Sequence, residues 1–352
     1  MKKRNLILVL FLATVLSIGT VVLLFQLSEQ KLAYQNNFTR RFPAYTQASK
    51  VLDLTYDSYY FAGMGNDSIY LGNITSGLTL TAVDSGLIYK REHKISIDNL
   101  DFPWHSPRMA VWGSYFFFFD GTVPVIFKGN IIAGKGVRQM SNMPMFFRGL
   151  VIDSSAIAYV FVDTSTKQST IGKSNMGSLP SSFKNAGLLQ KQVDGLFDSE
   201  GHLTYDHTTG QIVFVYRYRN QFFVMDKKLA LMHRGNTIDT VSRARVKPVR
   251  FEKENMIKLS ERPISVNKSC AADNGYLFVH SAIPGQFEPL ELWDKASIID
   301  IYDLKDRSYR GSFYVYHRKG KKLRSFLVKG NSFYGIIGNE LVMYRMSSQL
   351  IK

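Results

Sequence analysis

Twenty consecutive residues without a charge, Leu6 to Phe25, set the first constraint on this chain. A helix rises 1.5 Å per residue, so such a run spans about 30 Å, the thickness of a hydrocarbon core. Its polar members, Thr14, Ser17 and Thr20, return their hydroxyls to carbonyls one turn back. Lys2, Lys3 and Arg4 precede it, and Gln26-Leu27-Ser28-Glu29 follows it. A cleaved signal peptide has a shorter apolar region, about 7–15 residues, and small residues at its end. The reading is an uncleaved signal anchor over residues 1–27, a single pass through the lipid bilayer. By the positive-inside rule its basic end stays cytoplasmic and the body is exported, to the periplasm in a Gram-negative cell.

The rest of the chain is globular in composition. Of 352 residues, 45% are hydrophobic and 13% aromatic, which excludes disorder. One cysteine, Cys270, excludes an intrachain disulfide framework and an all-cysteine metal site. Net charge is +16, from 44 Lys+Arg against 28 Asp+Glu, concentrated over residues 211–258 and 305–330. Such segments favour an anionic surface or another membrane protein as partner, and export removes nucleic acid from the partners. No second stretch is long and apolar enough to span. The run Tyr115–Phe119 stops at Asp120-Gly121 and reads as a buried strand.

Residues 28–50 are polar and read as a tether or short helix lifting the body off the membrane, leaving 51–352 as one folded body. Within it, short β-rich runs alternate with turn residues. Asp67–Asn73 precedes Leu78–Val83, Met109–Phe119 leads to Val123–Phe127, and Ala156–Val162 leads to Thr170-Ile171. Gln211–Arg219 precedes Phe222–Met225, Tyr276–His280 precedes Ala296–Asp303 and Ser312–His317, and Ser332–Ile337 precedes Leu341–Tyr344. These units start near residues 68, 111, 156, 211, 275 and 332, a spacing that suits four-stranded propeller blades. At about 50 residues per blade the body holds six, with seven as the alternative. Propellers close by pairing first and last strands, so Val51–Phe61 is expected beside Leu341–Tyr344.

The last 60 residues carry the clearest pattern. Ile299-Asp300-Ile301-Tyr302-Asp303-Leu304, the return strand Gly311–Val315, and the pair Phe333–Ile337 and Leu341–Tyr344 follow one another. This resembles the outer strand of one blade and the inner strands of the next in six-bladed β-propellers of the NHL- and YWTD-like kind. It is also similar to uncharacterised membrane-anchored propeller proteins of Bacteroidetes. The resemblance implies an all-β, six-bladed β-propeller behind one N-terminal transmembrane helix. A regular NHL or YWTD motif is not repeated in every blade.

Candidate chemistry is sparse. Asp206, His202 and His207 are weak candidates for a metal site, because alternation puts the two histidines on opposite faces of one strand. Otherwise no cofactor is expected, although a divalent cation is compatible with the residues. Asp57, His105, Asp153, His202 and Asp273 are candidates near inner-strand starts, each equally suited to capping a turn. The run Phe214–Arg219 places Tyr216 and Tyr218 on one strand face and Arg217 and Arg219 on the other, a pattern for a glycan or peptide. Arg318, Lys319, Lys321 and Lys322 form a basic loop that suits anionic lipid or an acidic partner. No Gly-x-Ser-x-Gly elbow or H-E-x-x-H motif is present. The expected role is a membrane-anchored binding or scaffold module for a protein, peptide or glycan. The enzymatic alternative is a metal-assisted hydrolase or lyase with its site in the central channel.

Overall fold

The computed structural model describes residues 3–34, 36–43, 48–65, 67–140, 143–177, 181–251 and 256–351. Helix α1, Lys3–Tyr34, contains the apolar segment Ile7–Leu27, none of which is buried against the body. Thr14, Ser17 and Thr20 donate to the carbonyls of Leu10, Ala13 and Leu16 at 2.8–2.9 Å, so the segment leaves no hydroxyl unpaired. Met1 and Lys2 of the expected anchor lie outside the described residues.

Strand β1 is Ala48–Asp53, and the described residues of the body then group into six four-stranded antiparallel units, the first two joined by parallel pairing of their first strands. The first is β2 (Tyr59–Met64), β3 (Ser68–Asn73), β4 (Thr79–Asp84) and β5 (Lys90–Lys94). A short strand β6, Ser96–Ile97, edges the second unit of β7 (Arg108–Trp112), β8 (Tyr115–Asp120), β9 (Val123–Asn130) and β10 (Lys135–Met140). The third is β11 (Phe146–Asp153), β12 (Ala156–Val162), β13 (Ser169–Asn175) and β14 (Ser181–Asn185). The fourth is β15 (Gly201–Asp206), β16 (Gln211–Tyr216), β17 (Gln221–Met225) and β18 (Leu231–Asn236). A hairpin of β19 (Pro248–Phe251) and β20 (Met256–Leu259) precedes the fifth unit. That unit is β21 (Asn267–Asp273), β22 (Tyr276–Ser281), the single turn α2 (Leu290–Trp293), β23 (Ala296–Asp303) and β24 (Tyr309–Tyr316). The sixth is β25 (Leu323–Lys329), β26 (Ser332–Ile337) and β27 (Glu340–Arg345), completed by β1.

The units form a closed ring. The first strands β2, β7, β11, β15, β21 and β25 touch in that order, and β25 returns to β2. One apolar cluster lies between each neighbouring pair of units. Each sheet is thus buried on both faces, which is why Phe116–Phe119 and Ile212–Tyr216 are continuous apolar runs rather than alternating ones.

Closure differs from expectation in its reach. Val51 pairs with Val342 and Asp53 with Glu340, so Ala48–Asp53 alone completes the sixth unit. Tyr59–Phe61 instead opens the first unit, because Thr55 at φ 72° turns the chain out of β1. Met109–Phe119 is likewise two strands, split by a turn at Gly113 with φ 56°.

Residues 28–50, expected as a tether or short helix, are structured over their described part. The helix continues to Tyr34, and residues 36–43 form a strap along the fifth unit. Phe38 packs with Val266 and Ile283. Buried Arg40 donates to Asp300 and Glu288, each at 2.7 Å, and to Ser281 at 2.7 Å. Burial alone disfavours the Arg40 charge, but Asp300 and Glu288 more than offset it and raise its pKa above the usual value. The backbone N–H of Ser312 then donates to the carbonyl of Arg41 at 2.8 Å, carrying the strap down β24.

Candidate binding surfaces at the two channel mouths

The first strands all run the same way, so the channel has two chemically distinct mouths. Where they begin, the near mouth collects Arg108, Arg148, His202, Lys268 and Arg324. Register shifts between Phe146 and Arg148, Asn267 and Ser269, and Leu323 and Ser325 mark bulges at equivalent places in three strands. A bulge leaves one residue unpaired and re-aims it; here those residues are Phe147, Lys268 and Arg324. Arg148 and Arg217 share Glu200, at 3.7 and 2.8 Å. Burial, then the charge of Lys322, holds the Lys268 ammonium below its ordinary pKa. Arg324 donates to the carbonyls of Asp57 and Tyr59, and burial and Arg108 act against its charge.

Behind this mouth lie polar atoms without partners among the described residues: His202 Nε2, Ser269 Oγ, His280 Nε2 and Ser325 Oγ. Burial, reinforced by Arg148 and Arg217, pushes His202 down to about 3. Burial, with Lys268 next, does the same to His280. Both imidazoles are neutral at neutral pH. Burial also pushes the Cys270 thiol up to about 12, so it is no nucleophile.

The two histidines predict acid lability. Their folded pKa lies below the unfolded value near 6.5, so the unfolded chain binds more protons between about pH 3 and 6.5. Stability therefore falls as pH drops through that window, by about 2 kcal/mol per histidine between pH 7 and 5. Asp239, raised to about 6 by burial, acts oppositely and returns about 1.4 kcal/mol. From these three groups, urea midpoints at the two pH values are expected to show a loss of about 2.6 kcal/mol, reduced in His202→Gln/His280→Gln. An unchanged midpoint contradicts the burial of both rings.

Where the first strands end, the far mouth carries Asp153, Asp206 and Asp273 with Lys329. Asp206 accepts from the N–H groups of Thr208, Thr209 and Gly275 at 2.7–3.2 Å. Asp153 accepts from Ser155 N–H, and Asp273 from Gly330 N–H, each at 2.7 Å. The Trp112 ring packs on His207 at a tilt of 32°, centroids 4.6 Å apart, with the Lys227 ammonium 5.8 Å from the indole. A cleft of about 340 Å³ beside them is lined by Asp67, Lys329, Ser332, Tyr334 and Arg345. Sequence reasoning missed Trp112 and this cleft; the only signal was the position of Trp112 at the last residue of a first strand.

The candidate residues scatter. Tyr216 and Arg219 are fully buried, the guanidinium lying 3.6 Å over the ring and donating to Gln190 O at 2.7 Å. Neither is open to a ligand, because β16 ends at Tyr216 and the following bend folds Arg219 inward instead of continuing the alternation. Tyr218 is buried against Ala244 and Val246 and donates to Glu200 at 3.0 Å, leaving Arg217 half-exposed. Arg318 and Lys319 grip Glu340 at 2.5 and 2.8 Å. Positive φ at Lys319 and Gly320 makes their loop a tight two-residue hairpin, with Lys321 and Lys322 exposed.

The metal candidates do not converge. His202 and Asp206 sit at opposite ends of β15, about 13 Å apart along a strand, and His207 packs on Trp112. Asp57 and His105 lie in near-end loops, with His105 Nδ1 3.2 Å from Thr122 Oγ1, and Asp153 and Asp273 cap far-end turns. Among the described residues, no three His, Cys, Asp or Glu side chains gather as a metal site.

A ring of antiparallel four-stranded sheets around a channel, closed by the pairing of an early strand with the last, is a β-propeller. No family model matches the sequence, and no curated protein does. Among solved structures the chain is similar to a member of the DUF4221 family from Bacteroides vulgatus ATCC 8482. Identity there is 12%, coverage 85% of this chain and 97% of that one, and the TM-score 0.52. Weaker likenesses are to a nidogen/laminin complex, at 14% identity, 73% and 81% coverage and TM-score 0.43, and to a streptogramin B lyase. The lyase shares 9% identity over 90% and 99% of the two chains, with TM-score 0.47. At these identities the likeness to the Bacteroides protein speaks for the fold alone.

Proposed function

We propose that this protein is a single-pass, membrane-tethered propeller that serves as a binding or scaffold module for a protein, peptide or glycan. The strap carries the reading. Residues that follow the apolar helix are anchored in the propeller by Phe38 and Arg40, so helix and body act as one device. The basic N-terminus favours a cytoplasmic start and an exported body. The far end supplies the contact chemistry: exposed Tyr89, Ile132 and Met232 lie at the same end as the Trp112–His207 pair and the polar cleft. Aromatic and apolar side chains interleaved with charge suit a peptide or glycan better than a small apolar ligand.

The test combines extraction with crosslinking in intact cells. The full chain is expected to resist alkaline extraction from membranes, and a chain beginning at residue 36 to be released. Benzoylphenylalanine in place of Ile132 or Met232 is expected to give a discrete adduct, whereas the same residue in place of Phe183, on an outer strand, gives none. Release of the full chain, or equal crosslinking from Phe183, overturns the reading.

A further inference from the structure

We infer that the near channel mouth lies against the bilayer and binds anionic lipid headgroups. This rests on the membrane-anchor reading above. Helix α1 continues from Leu27 to Tyr34, seven residues or about 10 Å, enough to cross one headgroup layer. Phe38, four residues on, is already buried, and four residues span at most about 14 Å. Its carbonyl accepts from Gln286 N–H at 2.9 Å, in the loop between β22 and β23 at the near end of the fifth unit. The strap then runs away from that end, through Arg40 at Ser281 and Asp300 to Arg41 at Ser312 and Tyr309. The near end is therefore the one held toward the membrane, and the far end points away.

Charge agrees with this geometry. Arg148, Lys268, Lys322 and Arg324 gather around the near mouth with Glu200 as their neighbouring acid, while Asp153, Asp206 and Asp273 outnumber Lys329 around the far one. A negative surface attracts the first set and repels the second, and acts over a Debye length of about 8 Å. Near-end loops also expose Met145 (72%) and Phe287 (77%), the hairpin between the fourth and fifth units exposes Phe251 (43%), and Phe147 (47%) stands at its bulge. Cations interleaved with exposed apolar side chains are the composition of a surface that rests in a headgroup layer. Phosphate groups of lipid would sit over the guanidinium and ammonium groups of the mouth.

The experiment uses the full chain reconstituted in vesicles, labelled with bimane at Phe287→Cys or, at the far end, Ile132→Cys. Native Cys270, half-buried in the fifth unit with a thiol pushed up to about 12, is replaced by Ala in both labelled chains so that it cannot compete. Quenching is read with a headgroup nitroxide lipid, in phosphatidylcholine with and without phosphatidylglycerol. In the anionic vesicles the Phe287 label is expected to be quenched several-fold more than the Ile132 label. The difference should shrink without phosphatidylglycerol, in high salt, and in K268E/R324E. Equal quenching at both positions, or no response to anionic lipid or salt, overturns the inference. Salt and lipid composition act on the native charges, so the result stands even if the charge-reversed variant misfolds. Flotation separates the two readings: a chain that fails to float with vesicles overturns the anchor and this inference together. One that floats with equal quenching overturns the inference alone.

Discussion

Replacing Arg40 by alanine is expected to lower stability by about 3–5 kcal/mol, because it strips a buried, hydrogen-bonded cation from two carboxylates. Asp300 and Glu288 are themselves nearly inaccessible, with side chains 3% and 8% exposed. Left alone, Asp300 keeps Ser312 Oγ as a donor at 2.5 Å, and its charge has lost the guanidinium that compensated it. The loss should therefore exceed that of removing any one hydrogen bond. Arg310→Ala supplies the comparison: its pairs with Asp303 and Asp306 are surface pairs, its side chain is 41% exposed, and it should cost less than about 1 kcal/mol. Both variants are read from urea midpoints of the full chain in detergent micelles. If Arg40→Ala costs no more than Arg310→Ala, the strap is not docked as described.

Truncation should separate the helix from the closure. A chain beginning at residue 36 keeps the strap and β1, and is expected to be soluble and to melt cooperatively. One beginning at residue 54 loses five paired positions along β27, from Ala48↔Tyr344 to Asp53↔Glu340, and leaves that strand as an open edge. Exposed edges recruit other chains, so the second product is expected to aggregate or to elute as a heterogeneous species. Arg40 goes with it, leaving Asp300 and Glu288 uncompensated. Size-exclusion chromatography and a circular-dichroism melt of both products decide the matter. A monomeric, cooperatively melting chain from residue 54 would mean that β1 contributes little to closure.

The strands legible in the sequence are mostly the second and third of a unit, with the first strand of the second unit read only as part of the run Met109–Phe119. Ala156–Val162, Ser332–Ile337 and Leu341–Tyr344 are buried between two sheets, so they read as apolar runs whichever neighbour covers them. The innermost strands of the last four units were not legible. β15, β21 and β25 line the channel, carry His202, Lys268, Ser269 and Arg324, and bulge in two of the three cases. Their mixed polarity breaks the alternation on which a strand is recognised, so the units appeared to start one strand late. The same blindness affected the candidate site. Phe214–Arg219 looked like one strand with two usable faces, yet Arg219 turns back onto Tyr216 and vanishes from the surface.

Local chemistry alone determined the apolar N-terminal helix and the all-β, repeated-sheet body. Hydroxyl placement, an uncharged run and turn residues act over a few positions, and a reader needs nothing else to see them. Tertiary structure decided the rest: that residues 36–43 lie as a strap along the fifth unit, that Ala48–Asp53 closes the ring, and that basic side chains gather at one channel mouth and three aspartates with Lys329 at the other. Arg40 meets Asp300 across 260 residues of chain, and the near-mouth cations Arg108, Arg148, Lys268 and Arg324 come from four different strands. Their proximity is produced by closing the ring, and no local pattern in the chain encodes it.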